Sequence, residues 1–210
     1  MWQSIIDFVF PPRKDEKNVG RVCAEDIMLL PRANYIDEQT YALFAYNDQR
    51  IRSLIWELKY HKNKQVCQYI APFLGDIITE EVREKELFAN WHTVYLVPVP
   101  MTTKRQRQRG YSQLELLCSY LIEYLPSSII YDPTLLQKTR ETTAQNKTRT
   151  RQERLENLVG SIRAKKNLSL SQIILIDDVT TTGATLAECR RALVSAGVRE
   201  KDIIAFTIAH

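Results

Sequence analysis

Apolar positions recur along the chain in two patterns: stripes of helical period and short runs that are apolar on both faces. In "DQRIRSLIWELKY" (48–60), Ile51, Leu54, Ile55 and Leu58 stand at i, i+3, i+4 and i+7. That spacing predicts an amphipathic helix with Asp48 as its N-cap. A second helical pattern covers 65–83 through Val66, Ile70, Phe73, Leu74, Ile77 and Ile78, and Pro72 inside it predicts a kink or a late start. "TVYLVPVP" (93–100) is short, apolar and β-branched, so it reads as a buried strand that hands over to a loop at 101–110. Leu114, Leu117, Cys118, Leu121 and Leu125 share one helical face over 111–125, and the apolar runs at 129–131 and 134–136 fit strands. Residues 172–176 form the next buried strand, a helix starts near 184 and stops at Gly197, and "DIIAFTIA" (202–209) is a last strand.

Two stretches lack such patterning. Residues 1–47 carry Pro11, Pro12, Pro31 and a charged segment at 13–17, and read as an N-terminal arm of loops and short elements. Residues 138–158 are rich in Thr, Gln and Arg and too long for a tight turn; such loops inside a compact domain are usually functional lids or disordered. Buried strands alternating with amphipathic helices predict an α/β fold, a parallel sheet flanked by helices.

Composition narrows the class only a little. The 210 residues suffice for one core plus a small extension, and 44% hydrophobic with 26% charged residues is ordinary for a soluble globular chain. No apolar run approaches the roughly 20 residues that span a bilayer, so no membrane partner is expected. The apolar start "MWQSIIDFVFPP" contains Asp7 and lacks a basic lead, which speaks against a signal peptide and makes the cytoplasm the default location. Cys23, Cys67, Cys118 and Cys189 form no C-x-x-C pair, so neither disulfides nor a cysteine metal site is expected. Three of them fall in helical patterns, as small buried hydrophobes do. His61, His92 and His210 are isolated and read as structural or exposed.

A net charge of +4 is too small to imply nucleic-acid binding by itself, but the charge is unevenly spread. "KRQRQRG" (104–110) holds Lys104, Arg105, Arg107 and Arg109 and no acid. Residues 138–154 hold Lys138, Arg140, Lys147, Arg149, Arg151 and Arg154 against Glu141 and Glu153. Direct contact of these basic loops with single-stranded DNA is one reading; Tyr111 is not interleaved with other aromatics, so the sequence shows no base-stacking platform.

The chemistry concentrates in "IILIDDVTTTGAT" (173–185), where an apolar run ends in Asp177 and Asp178 and continues into Thr180, Thr181, Thr182, Gly183, Ala184 and Thr185. In a parallel α/β sheet, ligands bind beyond the carboxyl ends of strands. The threonine–glycine segment leads into a helix N-terminus, whose unpaired N–H groups and partial positive charge accept a phosphate. The two acids would repel that phosphate but accept hydrogen bonds from neutral hydroxyls. A ligand with vicinal hydroxyls near a phosphate, such as a ribose 5-phosphate, uses both halves. Neither a Walker A loop nor a G-x-G-x-x-G is present.

This stretch resembles the phosphoribosyl-pyrophosphate (PRPP) signature of type I phosphoribosyltransferases. "YNDQRIRSLIWELKYHKN" (46–63), "VPVPMTTKRQRQRGYSQLELL" (97–117) and "TTAQNKTRTRQERLENLVGSI" (142–162) resemble the ComF family of competence-associated proteins, and the likeness spans roughly 44–210. The resemblance implies the type I phosphoribosyltransferase fold at 46–210, with a flexible hood at 138–158, behind an irregular arm at 1–45. It implies PRPP as ligand and Mg²⁺ as cofactor, held mostly by ligand oxygens with Asp177 and Asp178 touching it through water. Pyrophosphate falls to Lys104, Arg105, Arg107 and Arg109, with Arg105 and Arg109 ranked first, and Gln145 and Arg154 of the hood are the catalytic candidates; Asn157 also matches the family pattern.

The expected activity is phosphoribosyl transfer to an unidentified nitrogenous acceptor, by a homodimer associated with DNA uptake or nucleotide metabolism. The alternative is a non-catalytic PRPP- or nucleotide-binding regulator, a partner of DNA-uptake or DNA-processing proteins. ComF-like chains often begin with a cysteine-rich zinc-binding segment; the corresponding region here has only Cys23, so zinc is not carried over. The family's usual R-G-[FY]-N-Q reads R-G-Y-S-Q at 109–113, leaving the family's Asn without a counterpart at Ser112.

Overall fold

The computed structural model describes residues 29–33, 39–140, 158–165 and 167–210 of the chain. In chain order they form β1 (Thr40–Phe44), α1 (Gln49–Tyr60), α2 (Lys64–Ala89), β2 (Val94–Pro98), α3 (Thr103–Arg109), α4 (Gln113–Leu121) and β3 (Ile129–Tyr131). Then come β4 (Leu136–Lys138), β5 (Ile162–Ala164), β6 (Gln172–Val179), α5 (Ala184–Ser195) and β7 (Ile203–Ala209). Five strands make one sheet in the order β1-β7-β6-β2-β3, every pairing parallel, while β4 and β5 form a separate antiparallel pair. This is the predicted α/β architecture.

The sheet is buried on both faces. Ile173, Ile174, Leu175 and Ile176 of β6 are fully inaccessible, as are Ile203, Ile204, Ala205 and Phe206 of β7. Consecutive rather than alternating burial is what helices on both faces of a parallel sheet require. Burying an aliphatic side chain of this size stabilises by about 2 kcal/mol, so the two central strands anchor the fold.

Local signals decide most boundaries. Asp48 caps α1, its Oδ1 accepting from the Arg50 N–H at 2.7 Å. In α2 the late start does not occur. The helix begins at Lys64, capped by Asn63, and runs through Pro72 to Ala89, where Asn90 adopts a left-handed conformation (φ 56°). One backbone hydrogen bond lost at Pro72 is offset by the buried stripe of Val66, Cys67, Ile70, Ala71, Leu74, Ile78 and Val82. The loop expected at 101–110 is corrected: Thr103–Arg109 is helical, capped by Thr102 Oγ1 on the Arg105 N–H and closed by Gly110 at φ 76°. Its all-polar surface gave no apolar period to read, although Thr102 and Gly110 are cap residues. The second short strand is Leu136–Lys138 rather than 134–136, because its partner β5 sets the register, Leu136 opposite Ala164 and Lys138 opposite Ile162. Thr40–Phe44, inside the stretch without periodicity, joins the sheet edge beside β7. Gly197 at φ 101° follows α5, the expected stop.

Strand order reverses between β2 and β6. From β2 the chain goes outward to β3 on one side, then returns to β6 and β7 on the other. The loops leaving β2 and β6 therefore diverge and open a crevice at the carboxyl ends of the strands. Pro98 stands opposite Ile176, and the Val99 N–H donates to the Ile176 carbonyl at 2.9 Å. Asp177 and Asp178 come next on β6. No helix among the described residues is long and apolar enough to cross a membrane.

Candidate functional site

The strand bearing the acids is longer than its apolar run. β6 continues to Val179, with Asp177 opposite Thr207 and Val179 opposite Ala209. Asp177 and Asp178 are therefore held by the sheet ladder and are nearly buried, 8% and 6% exposed. Asp177 Oδ1 accepts from the Asp178 N–H at 2.8 Å. Asp178 is held at both oxygens: Oδ1 pairs with Lys59 Nζ at 3.0 Å, and Oδ2 accepts from Gln113 Nε2 at 3.0 Å. Gln113 is itself braced, its Oε1 accepting from Arg109 at 2.9 Å. A carboxylate offers about four lone-pair sites, so these two bonds leave Asp178 able to accept from a ligand.

Two adjacent buried carboxylates cannot both ionise cheaply. Burial, and then the charge of Asp178, push the Asp177 carboxyl up to about 7; the Asp178 N–H, Lys59 and Lys138 pull the other way. Lys138, on β4, is shifted down by burial and by Arg105, while Cys189, Asp177 and Glu188 pull it back. The field of the acid pair thus reaches the two-stranded unit of β4 and β5.

Beyond the acids, the Thr180 N–H donates to the Ala209 carbonyl at 3.1 Å and the ring of His210 donates to the Thr180 carbonyl at 3.0 Å. Gly183 sits at φ 71°, a left-handed conformation strained for any side chain, and α5 starts directly after it. The Thr182 hydroxyl faces the first turn, 3.5 Å from the Ala184 N–H. Thr180 and Ala184 are buried, Thr182 and Thr185 half-buried, and Thr181 exposed. The segment 180–185 is thus a tight loop delivering a helix N-terminus to the strand end that holds the acids.

On the other side, a cavity of about 600 Å³ separates α3 from β4. Among the described residues, Thr102, Lys104, Arg107, Lys138 and Arg140 line it and no acid does. Of the four cations expected to bind pyrophosphate, Lys104 and Arg107 face this cavity. Arg105 is exposed on α3, and Arg109 lies over the Tyr60 ring (4.9 Å) while holding Gln113. Gln145, Arg154 and Asn157 lie outside the described residues. The unit that brackets them is held down: the Ile162 N–H donates to buried Glu188 at 3.2 Å, and Thr139 donates to the Ser161 carbonyl at 2.8 Å.

Lys59 and Gln113 contact Asp178, and Lys138 and Arg140 line the cavity, none of them singled out as ligand-binding from the sequence. Lys59 is one of many lysines there; its partner lies more than a hundred residues away. The buried cysteines behave as expected, Cys67, Cys118 and Cys189 being free thiols in helices, with burial pushing Cys67 up to about 12. Among the described residues no three His, Cys, Asp or Glu side chains cluster as a metal cage. With Asp178 already held by Lys59 and Gln113, the acids suit an ion carried by ligand oxygens and water rather than one bound directly.

An all-parallel five-stranded sheet with an acid pair at its switch point, beside a separate antiparallel pair of strands, is consistent with a type I phosphoribosyltransferase-like fold. No protein-family profile matches the chain. It is similar to competence protein ComFC of Bacillus subtilis, at 29% identity over 179 residues, 84% of this chain and 66% of that protein. Competence protein F of Haemophilus influenzae matches at 31% over 110 residues, 51% of this chain and 47% of that protein. DNA utilization protein YhgH of Escherichia coli K12 matches at 27% over 144 residues, 69% of this chain and 61% of that protein. These relatives, at 26–31% identity, are competence proteins F and ComFC and DNA utilization proteins, the group the ComF resemblance pointed to. It spans about three fifths of the length of the YhgH relatives it matches.

Proposed function

We propose that the chain binds PRPP and transfers its phosphoribosyl group to a nitrogenous acceptor, releasing pyrophosphate, in the cytoplasm and in association with DNA uptake. The observation that carries this is the buried acid pair one short loop before the start of α5, within the electrostatic reach of Lys138, which lines a cavity whose described residues include cations and no acid. Asp177 and Asp178 would accept the 2′ and 3′ hydroxyls, and Thr180–Thr185 would take the 5′ phosphate. Pyrophosphate would lie against Lys104 and Arg107, with Lys138 and Arg140 opposite. Mg²⁺, brought in on ligand oxygens, would neutralise pyrophosphate charge. The protein's share is positioning and stabilisation of the leaving group, as C1′ gains oxocarbenium character. The names of the ComFC, competence protein F and YhgH relatives support the link to DNA uptake and use.

The test is single-turnover pyrophosphate release from PRPP and Mg²⁺ with a panel of nucleobases. Release with one of them is expected; PRPP binding without release from any would leave a non-catalytic binder. Asp177→Asn with Asp178→Asn should abolish PRPP binding while the protein keeps its circular dichroism spectrum, and unchanged affinity would refute the site.

A second reading, contact with single-stranded DNA, is favoured by one feature. Trp56 and Tyr60 lie side by side on the outer face of α1, ring centroids 4.3 Å apart and tilted by 46°, each about half exposed, with Arg109 over Tyr60 and Lys62 over the Tyr111 ring at 5.8 Å. Exposed Arg52 continues the stripe. Rings interleaved with cations are what a single strand stacks on. The sequence pattern around Tyr111 hid this platform because its rings come from a different helix.

A further inference from the structure

We infer that Lys59 is the resident counter-ion of the acid pair, a positioning residue that lets Asp178 receive the ribose diol without help from a divalent cation. The inference rests on the PRPP reading. Two adjacent carboxylates at the end of an apolar strand need a cation, because buried like charges are costly unless compensated. Among the described residues, the cation in ion-pair contact with them is Lys59, 3.0 Å from Asp178.

Its presentation is built rather than incidental. Lys59 follows the fully buried Glu57 and Leu58 on α1. The end of that helix is latched by Tyr111, whose hydroxyl donates to the Leu58 carbonyl and accepts from the Lys62 N–H, both at 2.7 Å. Glu57 accepts from Asn63, the cap of α2, at 3.2 Å. The ammonium is thus delivered by a fixed helix end, its side chain only 23% exposed. Gln113 grips the second oxygen of Asp178 from α4, so the carboxylate is oriented before any ligand arrives. A divalent cation approaching Asp178 would meet an ammonium already there. The counter-charge is supplied by α1.

The experiment is calorimetric titration of PRPP into wild type, Lys59→Met and Lys59→Gln, in EDTA and at millimolar Mg²⁺. Wild type is expected to bind PRPP in EDTA. Lys59→Met should bind about tenfold or more weakly in EDTA, the worth of a charge-assisted contact, and recover most of the loss when Mg²⁺ is added. Lys59→Gln, which can still donate to Asp178, protects the test if the methionine variant does not fold, and the same Mg²⁺-dependent loss is expected. A loss of the same size with and without Mg²⁺, or no loss, would overturn the inference while leaving the PRPP reading intact. Wild type failing to bind PRPP under either condition would overturn that reading and this inference with it.

Discussion

Replacing Asp177 by Asn should make the protein more stable in base and change it least in acid. In the folded protein, burial and the charge of Asp178 push this carboxyl up to about 7, from 3.8 in an exposed chain. Between those values the folded state binds a proton that the unfolded state has released, so stability falls as pH rises. Above about 7 the whole cost is present; below 3.8 it vanishes, since both states are protonated. At about 1.4 kcal/mol per pH unit, the span amounts to roughly 4 kcal/mol for a fully ionised site. Asn keeps the shape and an oxygen that can accept from the Asp178 N–H, and it does not titrate. Urea unfolding of both proteins from about pH 4 to about pH 8 reads the difference directly. The stability of Asp177→Asn relative to wild type should climb across that range by up to roughly 4 kcal/mol and level off above neutrality. A flat difference, or one that grows toward acid, would refute the electrostatic account of the pair.

Two further outcomes follow from packing and from the aromatic face. Gly75 lies on α2 where an added Cβ would stand 2.6 Å from the Cβ of Tyr124, an atom that no rotamer change can move. Gly75→Ala should therefore lower stability by about 1–2 kcal/mol despite the better helix former, because overpacking outweighs propensity; a melting temperature at or above wild type would show that the Ile122–Tyr124 turn yields. If single-stranded DNA stacks on α1, Trp56→Ala with Tyr60→Ala should weaken oligonucleotide binding by about 1–3 kcal/mol per lost stack and leave PRPP affinity unchanged. Equal oligonucleotide affinity in wild type and variant, measured by fluorescence anisotropy at low salt, would remove that second reading.

The fold was legible where burial imposes a period. β2, β6 and β7 carry unbroken apolar runs because both faces are covered, and α1 and α4 carry stripes because one face is. Where burial is slight the reading failed: α3 buries no residue, and its caps are weak signals next to a missing stripe. β1, in an aperiodic stretch, takes its place from β7. β4 takes its register from β5, a partner distant in sequence.

The site divides the same way. The acid pair, the threonines and Gly183 are contiguous, so one segment of chain carries both halves of the proposed site. The sequence alone thus determined the parallel α/β class and the place of the acids at a strand end. Only the tertiary structure decided which cations serve them: Lys59 from α1 on Asp178, Lys138 and Arg140 across the cavity from Lys104 and Arg107, and Arg109 turned aside to Gln113 and Tyr60. The reason is range. Periodicity and capping act over a few residues and leave a trace in order along the chain, whereas an ion pair depends on distance in space and leaves none.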